Sequence, residues 1–318
     1  PVNENIITTY SRHRQNKSSN TSVPYVIYTL SEPYGARDWF PTKQSLNDKI
    51  EKVRLEITTP KGIYVASNGK LISETAISGT QLKTIWQTEY PIPSYLIAIG
   101  VTNYVKYTDT IGDPPFPFLN YIYPMSDTAT NRTALITRTK AMMDLFETYF
   151  GPYPYRNEKY GHMQFDFSGG MEHATMTSMG TGSLSDLPII AHELGHQWFG
   201  DKTTCKTWND VWINEGFARF AEHLYNEKIT NAGNKTAFIT YLQSIINNIT
   251  SSNGGTVYVP ESGLESFRIF DSRLSYDKGS YLLVMLKWMV GEDAFYQAIR
   301  NYSNQYAYNY ATGMDFKS

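Results

Sequence analysis

The chain has 318 residues, of which 41% are hydrophobic and 18% are charged, and its 28 Lys and Arg against 30 Asp and Glu leave a formal net charge of -2. This composition excludes an intrinsically disordered chain, and the near-neutral charge gives no electrostatic basis for binding nucleic acid or an anionic membrane surface. At roughly 100–200 residues per domain, the length predicts two or three domains.

Neither a disulfide framework nor a membrane span is predicted. Cys205 is the single cysteine, which excludes an intrachain disulfide. The longest apolar stretches, YLIAIGV (95–101) and YLLVMLKWMV (281–290), are shorter than the roughly 20 residues that a bilayer core demands. The chain starts at Pro1 without a methionine, so we expect a processed or trimmed product. The unpaired cysteine and low charge lean toward an exported protein, secreted or periplasmic, without fixing the compartment.

Alternation of apolar and polar residues dominates from about residue 24 to 125, after a polar segment (1–20) that we expect to form an exposed edge or hairpin. The segments that carry this pattern are KVRLEITT (52–59), GIYVAS (62–67), KLIS (70–73) and LKTIWQTEY (82–90). Asn68–Gly69 separates two of these runs, and Asn-Gly in that position indicates a β-hairpin. We therefore predict an N-terminal domain over 1–125, an antiparallel β sandwich or saddle that is incomplete.

Helical periodicity replaces this alternation after the proline-rich segment 112–127. The segments with apolar residues at helical spacing are 133–151, 186–199, 210–228, 235–250, 277–290 and 292–306. The sequence therefore predicts an α+β protein, in which a mainly α domain over 126–318 follows the β domain.

The sharpest motif is HELGH at 192–196, inside one of these helical segments. His192 and His196 are four residues apart, so both imidazoles lie on one face of a helix, about 6 Å apart along its axis. Two imidazoles in that position can bind one cation. Glu193 lies about 100° around the helix, where it can reach a water molecule on the metal and act as a general base. The alternative is a helix that carries two histidines by chance.

A catalytic zinc site requires three protein ligands and one open position. Glu215, in NDVWINEGFARFAEHLY (209–225), is the candidate third ligand, and a solvated helix glutamate is the alternative. Glu222 lies seven residues further along the same face. It can orient a zinc-bound histidine through a hydrogen bond, or it is an ordinary surface carboxylate, and the sequence leaves both open. We expect His13, His162 and His223 to be satisfied or solvent-facing histidines.

Several motifs together resemble a known family. HELGHQWFG followed by WINEGFA is similar to the zinc pattern of the gluzincin aminopeptidases, the aminopeptidase N and leukotriene-epoxide-hydrolase group. The supporting segments are SEPYGARDWFP (31–41), GGMEH (169–173), YDKGSYLLVMLK (276–287) and NYATGMDF (309–316). The resemblance covers most of the chain from about residue 28. It implies a β domain followed by a thermolysin-like catalytic domain, and a further helical domain in family members beyond the point where this chain stops.

The resemblance implies a zinc aminopeptidase, a hydrolase that cleaves the N-terminal peptide bond of peptides. One zinc ion per chain would be held by His192, His196 and Glu215, and it would activate water and polarise the scissile carbonyl. Glu193 would take the proton from this water. Tyr276 would donate its hydroxyl to the oxyanion.

The same resemblance implies a set of residues that bind peptide substrates with a free N-terminus. Glu172 and Glu32 would bind the α-amino group, because paired carboxylates select for an ammonium. Gly169 and Gly170 would lie against the substrate backbone, where glycine permits a close approach. Met171 would pack against the first side chain as a soft apolar wall.

The chain departs from this family at His173, which replaces the asparagine that usually ends the GxMEN motif. Tighter packing or a new hydrogen bond must compensate for this change. Two other functions remain open: a zinc endopeptidase that cuts within chains, and a non-catalytic peptide-binding protein with a relict zinc site. The glutamate of GGMEH argues against the endopeptidase, and retention of Glu193 and Tyr276 argues against the relict site.

Overall fold

The structure is a computed structural model that describes residues 26–317, and these residues fall into two compact units. The first unit contains the described residues up to Ala141 together with Tyr155–Ile190. The second contains Met142–Pro154 and the described residues from Ala191 onward. The edge or hairpin expected at 1–20 lies outside the described residues, and the domain limit between 125 and 126 remains a prediction.

The first unit consists mainly of β-strands in three sheets. Its strands are β1 (Ile27–Tyr28), β2 (Val53–Pro60), β3 (Tyr64–Ser67), β4 (Lys70–Ala76), β5 (Gln81–Thr88), β6 (Ile99–Thr102), β7 (Val105–Ile111), β8 (Phe116–Ile122), β9 (Tyr160–Phe165), β10 (Gly170–Met171) and β11 (Thr177–Gly180). The strand orders are β1-β6-β3, β2-β5-β4 and β10-β11-β9-β8-β7. The first two sheets are antiparallel, and β9 pairs in parallel with β8 and β11 in the third.

Trp86 shows how the alternating segments build the core of this unit. It faces Leu55 of the neighbouring strand in the register of β2 and β5 and is 1% exposed. Its indole nitrogen donates to the carbonyl oxygen of Val65 on β3, over 2.9 Å. A buried indole needs such an acceptor, because an unpaired N–H in the core is costly. This bond ties the second sheet to the first.

The hairpin predicted at Asn68–Gly69 is wrong. The strands on either side lie in different sheets, since β3 pairs with β6 and β4 pairs with β5. The Asn68 side chain fixes the corner between them. Its amide nitrogen donates to the carbonyl oxygens of Leu96 (2.9 Å) and Ala174 (2.7 Å), and its amide oxygen accepts from the backbone N–H of Ala98 (2.8 Å). Asn68 therefore acts as a crossover residue, whose partners lie far along the chain.

Helices make up most of the second unit, as the periodicity predicts. The helices of the described chain are α1 (Ala129–Arg132), α2 (Thr139–Phe150), α3 (Leu187–His196), α4 (Trp212–Tyr225), α5 (Lys235–Ile249), α6 (Ser266–Ile269), α7 (Gly279–Val290), α8 (Glu292–Gln305) and α9 (Gly313–Lys317). Two short strands, β12 (Thr203–Cys205) and β13 (Asn309–Ala311), pair in parallel. Within 26–317, no helix has both the length and the apolar character needed to cross a bilayer.

Helix α4 is the central element of the second unit. Every residue of α4 is buried except Arg219. Its neighbours approach closely at glycines: a β-carbon built on Gly216 would lie 2.9 Å from the backbone carbon of Gly279 on α7. A helix enclosed on all sides has little freedom to rotate or slide, because protein interiors are close-packed. Side chains on α4 are therefore held in fixed directions.

Candidate metal centre

The three ligands predicted from the sequence converge in the second unit. His192 and His196 lie on α3, and Glu215 lies in the first turn of α4. Nε2 of His192 is 3.1 Å from Nε2 of His196, and Oε2 of Glu215 is 3.2 Å from each of these nitrogens. All three side chains are buried. The three donor atoms form a triangle, which we call the metal triangle.

The metal triangle fits a tetrahedral divalent cation. Bonds of about 2.0–2.2 Å from zinc to nitrogen or oxygen place two ligands about 3.3 Å apart at the tetrahedral angle. The observed separations of 3.1 and 3.2 Å are close to that edge. Two imidazoles and one carboxylate are also a ligand set of catalytic zinc sites, which keep a fourth position open.

Hydrogen bonds orient both imidazoles toward the triangle. Nδ1 of His192 donates to Oε1 of Glu222 over 2.8 Å, and Nδ1 of His196 donates to the carbonyl oxygen of Phe199 over 3.0 Å. Both acceptors require the proton on Nδ1, which leaves the lone pair of each Nε2 facing the triangle. Glu222 is buried, so of the two interpretations left open by the sequence, the structure favours the orienting carboxylate.

The charges around the metal triangle attract a positive ion. Burial alone raises the pKa of Glu215, but the imidazoles of His196 and His192 outweigh burial and lower this pKa to about 2. Burial also favours neutral His192, but its hydrogen bonds with Glu215 and Glu222 raise the pKa of His192 well above the ordinary value. A proton and a metal ion compete for such a site, because the ligands must be deprotonated to bind metal.

The other two predicted catalytic residues border the metal triangle. Glu193 is buried, and one of its carboxylate oxygens lies within 4.8 Å of a ring nitrogen of His196. Tyr276 is half-buried in a π-helical turn, Ser272–Lys278. Its ring lies nearly parallel to the ring of His192, with 5.8 Å between centroids and 14° between planes. The second unit therefore brings together all five residues predicted for metal binding and chemistry.

The residues predicted to bind substrate lie in the first unit. Strand β10 contains Gly170 and Met171 and stands at the end of the five-stranded sheet, and Gly169 precedes it with a φ of +88°. Glu172 follows, is buried, and accepts a hydrogen bond from the hydroxyl of Tyr95 over 3.3 Å. A carboxylate oxygen of Glu32 lies within 4.8 Å of one of Glu172. The two predicted amine-binding acids are thus neighbours.

His173 is accommodated by a hydrogen bond inside the first unit. It is fully buried, and its Nδ1 lies 2.7 Å from Oγ of Ser178 on β11. Burial lowers the pKa of His173 to about 3, so the imidazole is neutral near neutral pH. Of the two compensations expected from the sequence, a new hydrogen bond is therefore present. His162 and His223 are also buried and hydrogen-bonded, to Asn120 and to Tyr241 and Ser280 respectively.

The backbone that follows GGMEH is held by residues that sequence reasoning missed. Thr175 has a φ of +65°, which is rare for a β-branched residue. The ammonium of Lys159 donates to both the carbonyl and the hydroxyl oxygen of Thr175, each over 3.0 Å. The hydroxyl of Thr175 also accepts from the N–H of Gly69, next to the bond between Asn68 and Ala174. No local sequence pattern marks Lys159 as buried.

Histidines at positions i and i+4 of one helix, joined by a glutamate from the next, define the fold and site as those of an HExxH metalloprotein. The profile of the family described as "Peptidase family M1 domain" matches residues 135–318. Since this match spans more than half of the chain, the chain belongs to peptidase family M1. The resemblance drawn from the sequence motifs is confirmed.

Known relatives and solved structures agree with this assignment. The chain is 29% identical to "Glutamyl aminopeptidase" of Bos taurus, over 97% of the chain and 33% of the relative. It is 28% identical to "Probable aminopeptidase 2" of Sulfurisphaera tokodaii, over 92% of the chain and 38% of the relative. The chain therefore spans about a third of the length of these curated relatives.

A solved structure has the same fold. The M1 zinc metallopeptidase from Deinococcus radiodurans superimposes with a TM-score of 0.79 at 24% identity, over 91% of this chain and 64% of that chain. A mutant form of that protein gives a TM-score of 0.81 at 23% identity, over 92% and 65% respectively. The predicted fold class, a β region followed by a mainly α region, is confirmed.

Proposed function

We propose that this chain carries the catalytic machinery of a zinc aminopeptidase, which binds one zinc ion and hydrolyses the N-terminal peptide bond of peptides. The observation that supports the proposal is the metal triangle, whose separations of 3.1 and 3.2 Å suit one zinc ion. The names of the relatives, glutamyl aminopeptidase and probable aminopeptidase, support the class of reaction.

Glu193 and Tyr276 are the two side chains that assist the reaction at the metal triangle. When bound, the zinc ion polarises the scissile carbonyl and lowers the pKa of a water molecule. Glu193 follows the ligand His192 on the same helix, so its carboxylate borders the triangle without belonging to it. It accepts a proton from the attacking water and delivers it to the leaving amine. Tyr276 donates its hydroxyl to the negative charge that develops on the carbonyl oxygen.

The first unit supplies recognition of the peptide's N-terminus. Glu172 and Glu32 bind the α-amino group, since two carboxylates within 4.8 Å of each other match one ammonium. Gly169 and Gly170 lie against the substrate backbone, because an edge strand offers backbone groups that can pair with an extended peptide. Met171 packs against the first side chain.

Zinc removal and substrate choice test this function. We expect a chelator to abolish hydrolysis of aminoacyl-arylamides and added zinc to restore it, and we expect N-acetylated substrates to be resistant. Glu193→Gln should bind zinc normally and lower kcat by about 10²–10⁴-fold, because only the general base is lost. Full turnover in this variant would contradict the mechanism.

Comparison of free-amine and N-acetylated substrates also distinguishes an aminopeptidase from the two other functions that the sequence leaves open. A zinc endopeptidase would cleave acetylated and free peptides equally well. A non-catalytic binding protein would bind zinc and hydrolyse no member of a peptide library.

A further inference from the structure

The buried carboxylate of Glu222 divides its two oxygens between a predicted metal ligand and a cation. Oε1 accepts the hydrogen bond from His192, and Oε2 forms an ion pair with Nη1 of Arg219, one turn earlier on α4. Glu222 is only 6% exposed, and a buried carboxylate needs such partners because its removal from water is costly. Arg219 therefore helps to fix the carboxylate that orients His192.

The guanidinium of Arg219 also binds a second buried acid. Its Nε donates to Oδ1 of Asp277 over 2.9 Å, and the side-chain amide of Asn248 donates to Oδ2 of Asp277 over 2.7 Å. A guanidinium presents its donors in a rigid planar fork. The positions of Glu222 and Asp277 are consequently coupled through one flat group.

Asp277 connects this network to Tyr276, its neighbour in the π-helical turn Ser272–Lys278. π-helical turns are rare and frequently lie at functional sites. The Tyr276 ring lies against that of His192, 5.8 Å between centroids. Four contacts and the peptide bond between Tyr276 and Asp277 close a ring, whose members in order are His192, Glu222, Arg219, Asp277 and Tyr276.

We propose that Arg219 is a positioning residue, which holds the imidazole of His192 and the hydroxyl of Tyr276 in a fixed relation. The proposal rests on the proposed function, in which both side chains serve the same carbonyl group. Arg219 acts through its two carboxylate partners. Its loss disturbs the orientation of a metal ligand on one side and the placement of a hydroxyl donor on the other.

A merely structural role for Arg219 makes a different prediction. The same bonds tie α4 to the π-helical turn and, through Asn248, to α5, so their loss lowers the melting temperature in either case. Arg300 offers a matched control in the same unit. Its Nη1 donates to the carbonyl oxygen of Tyr149 over 3.0 Å and ties α8 to α2. Arg300→Gln therefore removes an arginine hydrogen bond between two helices that lies outside the ring of contacts.

Zinc affinity, kinetics and melting temperature together separate the two roles. Competition with a chromophoric chelator measures the affinity for zinc alone, and a free-amine arylamide gives kcat and KM. We expect Arg219→Gln to lower zinc affinity about tenfold, the lower end of the effect of losing an outer partner of a metal ligand, because Arg219 acts on His192 through Glu222. Asp277→Asn should keep zinc affinity and KM and lower kcat about tenfold, because a displaced catalytic group loses rate more than binding. Arg300→Gln should change the melting temperature alone.

Two outcomes overturn the proposal. If Arg219→Gln and Asp277→Asn change only the melting temperature, as Arg300→Gln does, Arg219 is structural. If Arg219→Gln does not fold, Arg219→Lys keeps the charge without the planar fork, and wild-type zinc affinity and kcat in that variant contradict the proposal.

Failure of the proposed function gives a distinct result. A wild-type chain that binds zinc but hydrolyses no free-amine peptide rules out the aminopeptidase. The zinc affinity of Arg219→Gln still tests the link from Arg219 to His192 in that case, and an unchanged affinity contradicts it.

Discussion

Gly195 lies so close to Ala221 that a β-carbon built on Gly195 would come within 2.6 Å of the β-carbon of Ala221. Carbon atoms in contact are about 3.5–4.0 Å apart, so a larger residue at Gly195 would force α3 and α4 apart. These two helices carry the three ligands of the metal triangle. The fourth residue of HELGH thus sets the distance between the imidazoles and Glu215.

Gly195→Ala is expected to weaken both the fold and the metal site. The added methyl group overpacks the helix contact at a cost of about 1–3 kcal/mol, and alanine returns up to about 1 kcal/mol through its higher helix propensity. Separation of α3 from α4 also moves the histidines away from Glu215, so zinc affinity falls. Thermal unfolding and chelator competition measure the two effects.

A compensating change provides the control for this variant. In Gly195→Ala combined with Ala221→Gly, the methyl group has moved from one helix to the other, and zinc affinity should recover. Gly182→Ala adds a methyl group where nothing lies within 4 Å, and it should leave zinc affinity unchanged. If the double variant binds zinc as poorly as Gly195→Ala does, the helix separation is not the cause.

Tyr276→Phe is expected to slow the reaction without loosening the metal. The variant keeps the aromatic ring that lies against His192 and removes only the hydroxyl. Loss of one donor to a developing oxyanion typically lowers kcat by about 10²–10³-fold. Steady-state kinetics and zinc content test this together, and a kcat equal to that of the wild type would remove Tyr276 from the mechanism.

Two buried histidines predict a loss of stability in acid. Burial lowers the pKa of His162 and of His173 to about 3, from an ordinary value of 6.5. Between these values the unfolded chain binds protons that the folded chain does not, so stability falls as the pH drops from 6.5 toward 3. The loss is at most about 1.4 kcal/mol for each pH unit and histidine. Melting temperatures across this range measure it.

Single replacements identify the histidines responsible for that loss. In His173→Asn and His162→Gln, one titrating group is gone, so the melting temperature should fall less steeply with acid than in the wild type. Comparison with the wild type at each pH removes the contribution of every other titrating group. Parallel curves for wild type and variants would show that acid acts elsewhere.

Asn68→Ala is expected to destabilise the first unit and impair recognition of free amines. The change removes three buried hydrogen bonds, to Leu96, Ala98 and Ala174, and leaves backbone groups unpaired at a cost of about 2–4 kcal/mol in total. Ala174 is two residues beyond Glu172, so the acid moves and KM for free-amine substrates rises. Asn253→Ala, at an exposed loop position, is the control and should alter neither quantity.

Local sequence patterns were sufficient to predict the helices and the metal triangle. Apolar residues at helical spacing predicted the segment that forms α4, and the four-residue interval between His192 and His196 required no knowledge of distant contacts. Glu215 followed from the need for a third ligand on the next helix. These inferences succeed because the relevant distances are set within one or two neighbouring helices.

Long-range pairing was beyond the reach of the same patterns. The Asn68–Gly69 pair predicted a hairpin, but Asn68 bonds to Ala174, 106 positions away, and the strands beside it enter separate sheets. Strands β9, β10 and β11 were not predicted either, because β10 and β11 are short and β9 is buried along its whole length without alternation. Arg219 lies one turn before Glu222, a spacing that offers a usable signal for an ion pair.

The corner at Asn68–Gly69 restricts where the chain can accept an inserted residue. Exposed loop tips usually tolerate insertions, because few fixed partners hold their backbone. An extra residue beside Asn68 would carry its amide away from three fixed backbone partners at once. This two-residue bend is therefore restricted in length as strictly as a core position is restricted in volume.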